Sequence, residues 1–136
     1  MLKISLIDRS LYFKGLLLLI RKDAQISDPE MILMKQIGQY LGFETEFCDT
    51  AIRDILTNEH IVDSPPVFST PEIAVRFIRD GITISHCDHD IHPKEWDWLE
   101  SVAKINQLDF VPLFEKWKKD HFQKELIPIE AEMLTV

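Results

Sequence analysis

The chain has 136 residues, 46% hydrophobic and 28% charged, a globular mixture at a length one core can serve without disulfides or metal. Lys and Arg total 15 against 23 Asp and Glu, a net charge of −8, and such a surface repels nucleic-acid phosphates and anionic lipid. The 4 glycines argue against turn-dense sandwiches and dinucleotide-binding folds.

Residues 2–7 alternate like a strand, but no later segment offers itself as a partner, so helix or coil is expected there. Asp8 is placed to cap a first helix running to about Asp23, with Leu11, Gly15, Leu18 and Leu19 on one side. Ser27-Asp28-Pro29-Glu30 is a capping box with proline in the first turn, where its missing N–H costs nothing. Met34, Ile37, Gly38 and Leu41 continue at helical spacing, and Gly42-Phe43 reads as a left-handed stop. A third helix, from about Thr45 to Asn58, buries Phe47, Ala51, Ile52 and Ile55. Asp63-Ser64-Pro65-Pro66 is the clearest linker.

The same punctuation follows the linker. Ser69-Thr70-Pro71-Glu72 opens a fourth helix through Ile73, Phe77, Ile78 and Ile84. His92-Pro93-Lys94-Glu95 opens a fifth, with Trp98, Leu99, Val102 and Ile105 as its apolar stripe. Asp109 caps a sixth, in which Phe110, Leu113, Phe114, Trp117 and Phe122 face inward and Pro112 sits in the first turn. The tail, 125–136, lacks periodicity and either docks as an extended strip or frays.

Displacing the chain by the separation of Glu30 and Glu95 sets Asp23 on Asp88, Ile26 on Ile91, Met34 on Leu99, Ile37 on Val102 and Ile52 on Trp117. The expectation is an all-α domain of about six helices in two pseudo-repeated three-helix units, 8–62 and 67–124, joined by linker 63–66. The longest apolar run, Leu16–Ile20, is far short of the ~20 residues that span a bilayer. Arg21, Lys22 and Asp23 follow it in place of a signal-peptide cleavage site. Cys48 and Cys87, in apolar helical stretches, are too few for a disulfide framework. These features predict a cytoplasmic protein with no membrane insertion and no nucleic-acid partner.

The repeated element Asp-x-x-Ile-(Ser/His)-x-x-Glu occurs as Asp23-Ala24-Gln25-Ile26-Ser27-Asp28-Pro29-Glu30 and as Asp88-His89-Asp90-Ile91-His92-Pro93-Lys94-Glu95. It resembles the TerB-like superfamily of tellurite-resistance systems. Members carry a helix ending in Asp, a short turn with a buried aliphatic, and a helix opening with Glu. The resemblance covers about residues 10–122. It departs where the family's Asp-Gly is Asp23-Ala24 and Asp88-His89, and in the histidine content of the second copy. It implies a cytoplasmic, non-enzymatic stress-response accessory domain with a divalent-metal site built from those acids.

The turn chemistry has its own logic. Asp23 and Asp88 sit near helix C-termini, where the macrodipole disfavours negative charge by roughly 0.3–1 kcal/mol. A cation, or Arg21 or Lys22, would compensate. With Glu30 and Glu95 opening the next helices, each pair offers oxygen ligands suited to calcium, magnesium or manganese. The alternative is that Glu30 and Glu95 close capping boxes and the aspartates bind turn N–H groups. In the second turn Asp88, His89, Asp90, His92 and Glu95 form the richer ligand set, and imidazole ligands would bring in zinc. His86 and Cys87 are adjacent on a helix and diverge by about 100°.

No nucleophile elbow, phosphate loop or zinc-protease helix occurs. The reading is therefore a non-enzyme that works through a protein partner, with a homodimer compatible. A metal-dependent hydrolase using 86–95 is the alternative. Trp96 and Trp98 lie about 200° apart on one helix. Trp98 matches the buried stripe, so Trp96 is expected at a rim, in an interface or under the tail.

Overall fold

The computed structural model describes residues 2–22, 26–58, 60–87, 90–123 and 129–135. Six helices carry the fold: α1 (Leu6–Arg21), α2 (Asp28–Tyr40), α3 (Thr45–Thr57), α4 (Pro71–Ser85), α5 (Pro93–Ile105) and α6 (Phe110–Gln123). The protein is all-α, as its helical periodicity predicts. Ser27 and His92 each form a capping box with a glutamate, and Pro29 and Pro93 lie in the first turns of α2 and α5. Gly42 ends the α2 turn at φ 84°, a left-handed geometry that glycine adopts without Cβ strain. Gln107 takes φ 60° at the corresponding place after α5.

Buried apolar side chains from all six helices form one cluster, with α1 and α4 at its centre. Leu16, Leu18, Leu19, Ile20, Phe77, Ile78 and Ile82 are sealed within it. The helices approach closely at Gly15, where a Cβ would stand 2.8 Å from two ring atoms of Phe77. The displacement that sets Glu30 on Glu95 also carries the starts of α1, α2 and α3 onto those of α4, α5 and α6. After α3, residues 62–68 run back over α1 without regular secondary structure. Pro66 lies beside Gly15 of α1, while a 3-10 turn, Glu130–Met133, lies against Asp80 of α4. Asn106 at the end of α5 holds the Pro66 strap, donating to the Pro66 carbonyl at 2.8 Å and accepting from the Phe68 N–H at 2.9 Å.

Several local expectations change in three dimensions. The N-terminal strand does find a partner: β1 (Leu2–Lys3) pairs in parallel with β2 (Leu134–Thr135), so the tail docks instead of fraying. Ser5, not Asp8, caps α1, and Asp8 is buried where it accepts hydrogen bonds from the Ser69 N–H and hydroxyl. With Ser69 so used, Thr70 caps α4. Phe47 and Ile105, predicted to be buried, are 51% and 47% exposed. Cys48 is buried in α3, whereas Cys87 lies exposed beyond the end of α4. Trp96 is covered by α6, with ring centres 4.7 Å from Phe110 and 4.9 Å from Phe114. The Phe122 side chain falls outside the described residues. No described helix is long and apolar enough to cross a membrane.

Candidate functional site

Of the turn acids, Glu30 and Glu95 cap helices, Asp90 lies in coil, and Asp23 and Asp88 fall outside the described residues. Glu30 Oε1 accepts from the Ser27 N–H and hydroxyl, both at 3.0 Å, and the Ser27 hydroxyl oxygen accepts from the Glu30 N–H at 3.2 Å. At α5, Glu95 Oε1 accepts from the His92 N–H at 3.0 Å, and His92 Nδ1 accepts from the Lys94 N–H at 3.1 Å. Capping-box glutamates ordinarily face water, yet Glu30 and Glu95 are both fully buried. Each satisfies a backbone donor at the base of its helix, inside the protein. Asp90 is exposed in the coil before α5. Asp23, Asp88 and His89 lie outside the described residues. Among the described residues, no three His, Cys, Asp or Glu side chains converge as a metal site.

An open apolar groove lies elsewhere, between α1 and α3. Phe13 and Leu17 of α1 form one wall, and Phe47, Ala51 and Ile55 of α3 form the other. Phe43 and Ile61 also line the groove, which encloses about 410 Å³, with Lys14 and Asp54 supplying opposite charges along it. The aromatic end is built in layers. Phe43 stacks on Phe47 at 4.8 Å, and Phe13 packs on Phe43 at 5.7 Å. The Arg9 guanidinium lies 5.9 Å from the Phe43 ring centre and donates to the Leu41 carbonyl, fixing the α2–α3 turn.

The groove follows from a stripe on α3 too wide for its neighbours. Cys48, Ile52 and Ile55 turn into the core. Phe47 and Ala51, displaced around the helix by one residue's rotation, form the lip. Helical spacing marks all five as apolar and cannot say which side the neighbours will leave open. No protein-family model, curated protein or solved structure matches the chain.

Proposed function

We propose that this chain is a TerB-like stress-response accessory domain that acts by docking, seating an amphipathic helix of a partner protein in the α1/α3 groove. The observation that carries the reading is Phe47, a half-exposed ring held in place by Phe43 over buried Phe13. Aromatic anchors at a preformed apolar site supply most of the binding energy in docking interfaces. The two walls repeat at one-turn intervals, Phe13 and Leu17 against Phe47, Ala51 and Ile55, which suits a helix laid in the valley. Lys14 and Asp54 orient that helix by opposite charges. The all-helical architecture agrees with the family resemblance. Glu30 and Glu95, in this reading, are structural caps.

The test places a photo-crosslinking phenylalanine analogue at position 47 in the native host, with an equivalent at Val111, which is 50% exposed on α6. A discrete protein adduct at 47 that disappears with Ala51→Glu is expected. Equal labelling at 47 and 111, or adducts that survive Ala51→Glu, would overturn the docking site. A host lacking the chain should also lose tellurite tolerance and regain it with the wild type but not with Phe47→Glu.

A further inference from the structure

The end of α4 meets the last turns of α6 through aromatic rings. His86, the C-cap of α4, stands edge-on to Trp117 with ring centres 5.5 Å apart. Trp117 in turn stacks on His121, one turn further along α6, at 4.9 Å and 8° between planes. The two imidazole centres are 6.0 Å apart, with their planes at 81°. Trp117 is buried, and its indole N–H donates to Thr83 Oγ1 at 3.0 Å, so the ring that both histidines contact is fixed from both helices.

His86 Nδ1 is buried and makes no hydrogen bond. A buried polar atom left without a hydrogen bond is destabilising, so it calls for a partner. Its position also favours a cation, because the carbonyl end of α4 carries the negative pole of the helix dipole. Two imidazoles bound to one tetrahedral ion at Zn–N distances of ~2.0–2.1 Å have ring centres about 5.2 Å apart. The observed centres stand 6.0 Å apart, and exposed His121 moves in by just under ~1 Å to ligate.

We infer that His86 and His121 anchor a zinc-class transition-metal ion between the C-terminus of α4 and the last turns of α6. Imidazole nitrogen selects borderline ions such as zinc, copper or nickel over calcium and magnesium, which prefer oxygen. A metal-bound imidazole uses one nitrogen for the ion and keeps the other for a hydrogen bond, so His121 can ligate while holding its own contacts. Two anchoring side chains are one fewer than an open zinc site ordinarily has, so the remaining positions go to water or to groups brought by another molecule. This site is distinct from the α1/α3 groove and from the capping carboxylates.

The test is a zinc titration of the untagged full-length chain, followed by calorimetry and by the imidazole nitrogen resonances of all five histidines. One zinc per chain is expected, with the His86 and His121 resonances moving together. His86→Gln and His121→Gln should each weaken binding at least tenfold, and His60→Gln should bind as the wild type does. Absence of binding, unchanged affinity in His121→Gln, or a loss confined to His89→Gln and His92→Gln would overturn the assignment. If a glutamine variant fails to fold, the wild-type resonances decide: His86 and His121 unmoved by zinc sink the site.

Discussion

Tyr12 and Asp80 meet in the centre of the protein, where the phenol hydroxyl of α1 donates to Asp80 Oδ2 of α4 at 2.6 Å. The same carboxylate accepts from the Glu130 N–H at 2.6 Å and the Ala131 N–H at 3.0 Å, so one buried side chain joins both central helices to the tail. Burial pushes Asp80 up to about 7, against the opposing pull of its three donors, and the nearby Glu130 carboxylate adds to the rise. Burial and the Asp80 charge also hold Tyr12 well above the usual phenol range, so it stays a donor. The folded protein therefore holds the Asp80 proton more tightly than the unfolded chain, in which an aspartate titrates near ~3.9. The stability from this group is fully present below that value and is lost as pH rises through about 7. Urea unfolding should show a loss on the order of 3 kcal/mol from this group between pH 5 and pH 8. Asp80→Asn should flatten that slope, and an unchanged slope would refute the assignment. Asp80→Ala should destabilise at every pH, because it orphans three buried donors.

Arg79 fastens the tail from the side. Its Nε donates to Glu130 Oε1 at 2.7 Å and its second guanidinium arm to Asp120 Oδ2 of α6 at 2.9 Å, while Arg76 holds the other Glu130 oxygen at 2.9 Å. A lysine has one charged point and cannot span both acids in this fork geometry. Arg79→Lys should cost about 1 kcal/mol. Hydrogen exchange at the Glu130 and Ala131 amides should speed up. High salt should narrow the difference from wild type.

Gly15→Ala offers a test of the α1–α4 crossing that runs against helix propensity. Alanine at a helix interior is favoured over glycine by about 1 kcal/mol. Here the added Cβ would stand 2.8 Å from Phe77 Cε2 and Cζ and 3.2 Å from Pro66 Cγ. Phe77 cannot yield easily, because its ring is packed at 5.4 Å on Tyr12 and at 5.2 Å on Phe68. The variant should lose about 1–3 kcal/mol, as overpacked cores do. A rise in melting temperature would mean that the crossing is looser than described.

Glu30 and Glu95 can be separated from ligand roles by isosteric substitution. Glutamine keeps the acceptor oxygen that closes each capping box, so Glu30→Gln and Glu95→Gln should stay within about 1 kcal/mol of wild type. Alanine removes the acceptor and leaves a cavity, so Glu30→Ala and Glu95→Ala should each lose about 2 kcal/mol or more. If the glutamine variants were instead as damaged as the alanine ones, the carboxylate charge itself would matter, and a bound cation would re-enter the account. Chemical denaturation of the four variants with and without a chelator makes the comparison.

Features that act within one helical turn were legible in the sequence. The capping boxes at Ser27 and His92, the prolines at helix starts and the Gly42 stop are local, because each rests on a hydrogen bond or torsion spanning a few residues. Periodicity likewise marked Met34, Ile37, Leu99 and Val102 as inward-facing, and all four are buried. Tertiary structure decided what depends on distant partners. Asp80, between Arg79 and Gly81, carries no local cue to its burial, and its donors come from 68, 50 and 51 residues away. Ser5 displaced Asp8 as the α1 cap because Ser69 drew the aspartate inward. Phe47 belongs to the apolar stripe of α3, but the packing of α1 and α2 left it at the lip of a groove. His86 and His121 meet only because α6 folds back along α4. An amphipathic pattern says which residues avoid water, and only packing says which of them succeed. Burial is a property of the assembled neighbours, whereas a cap belongs to the chain beside it.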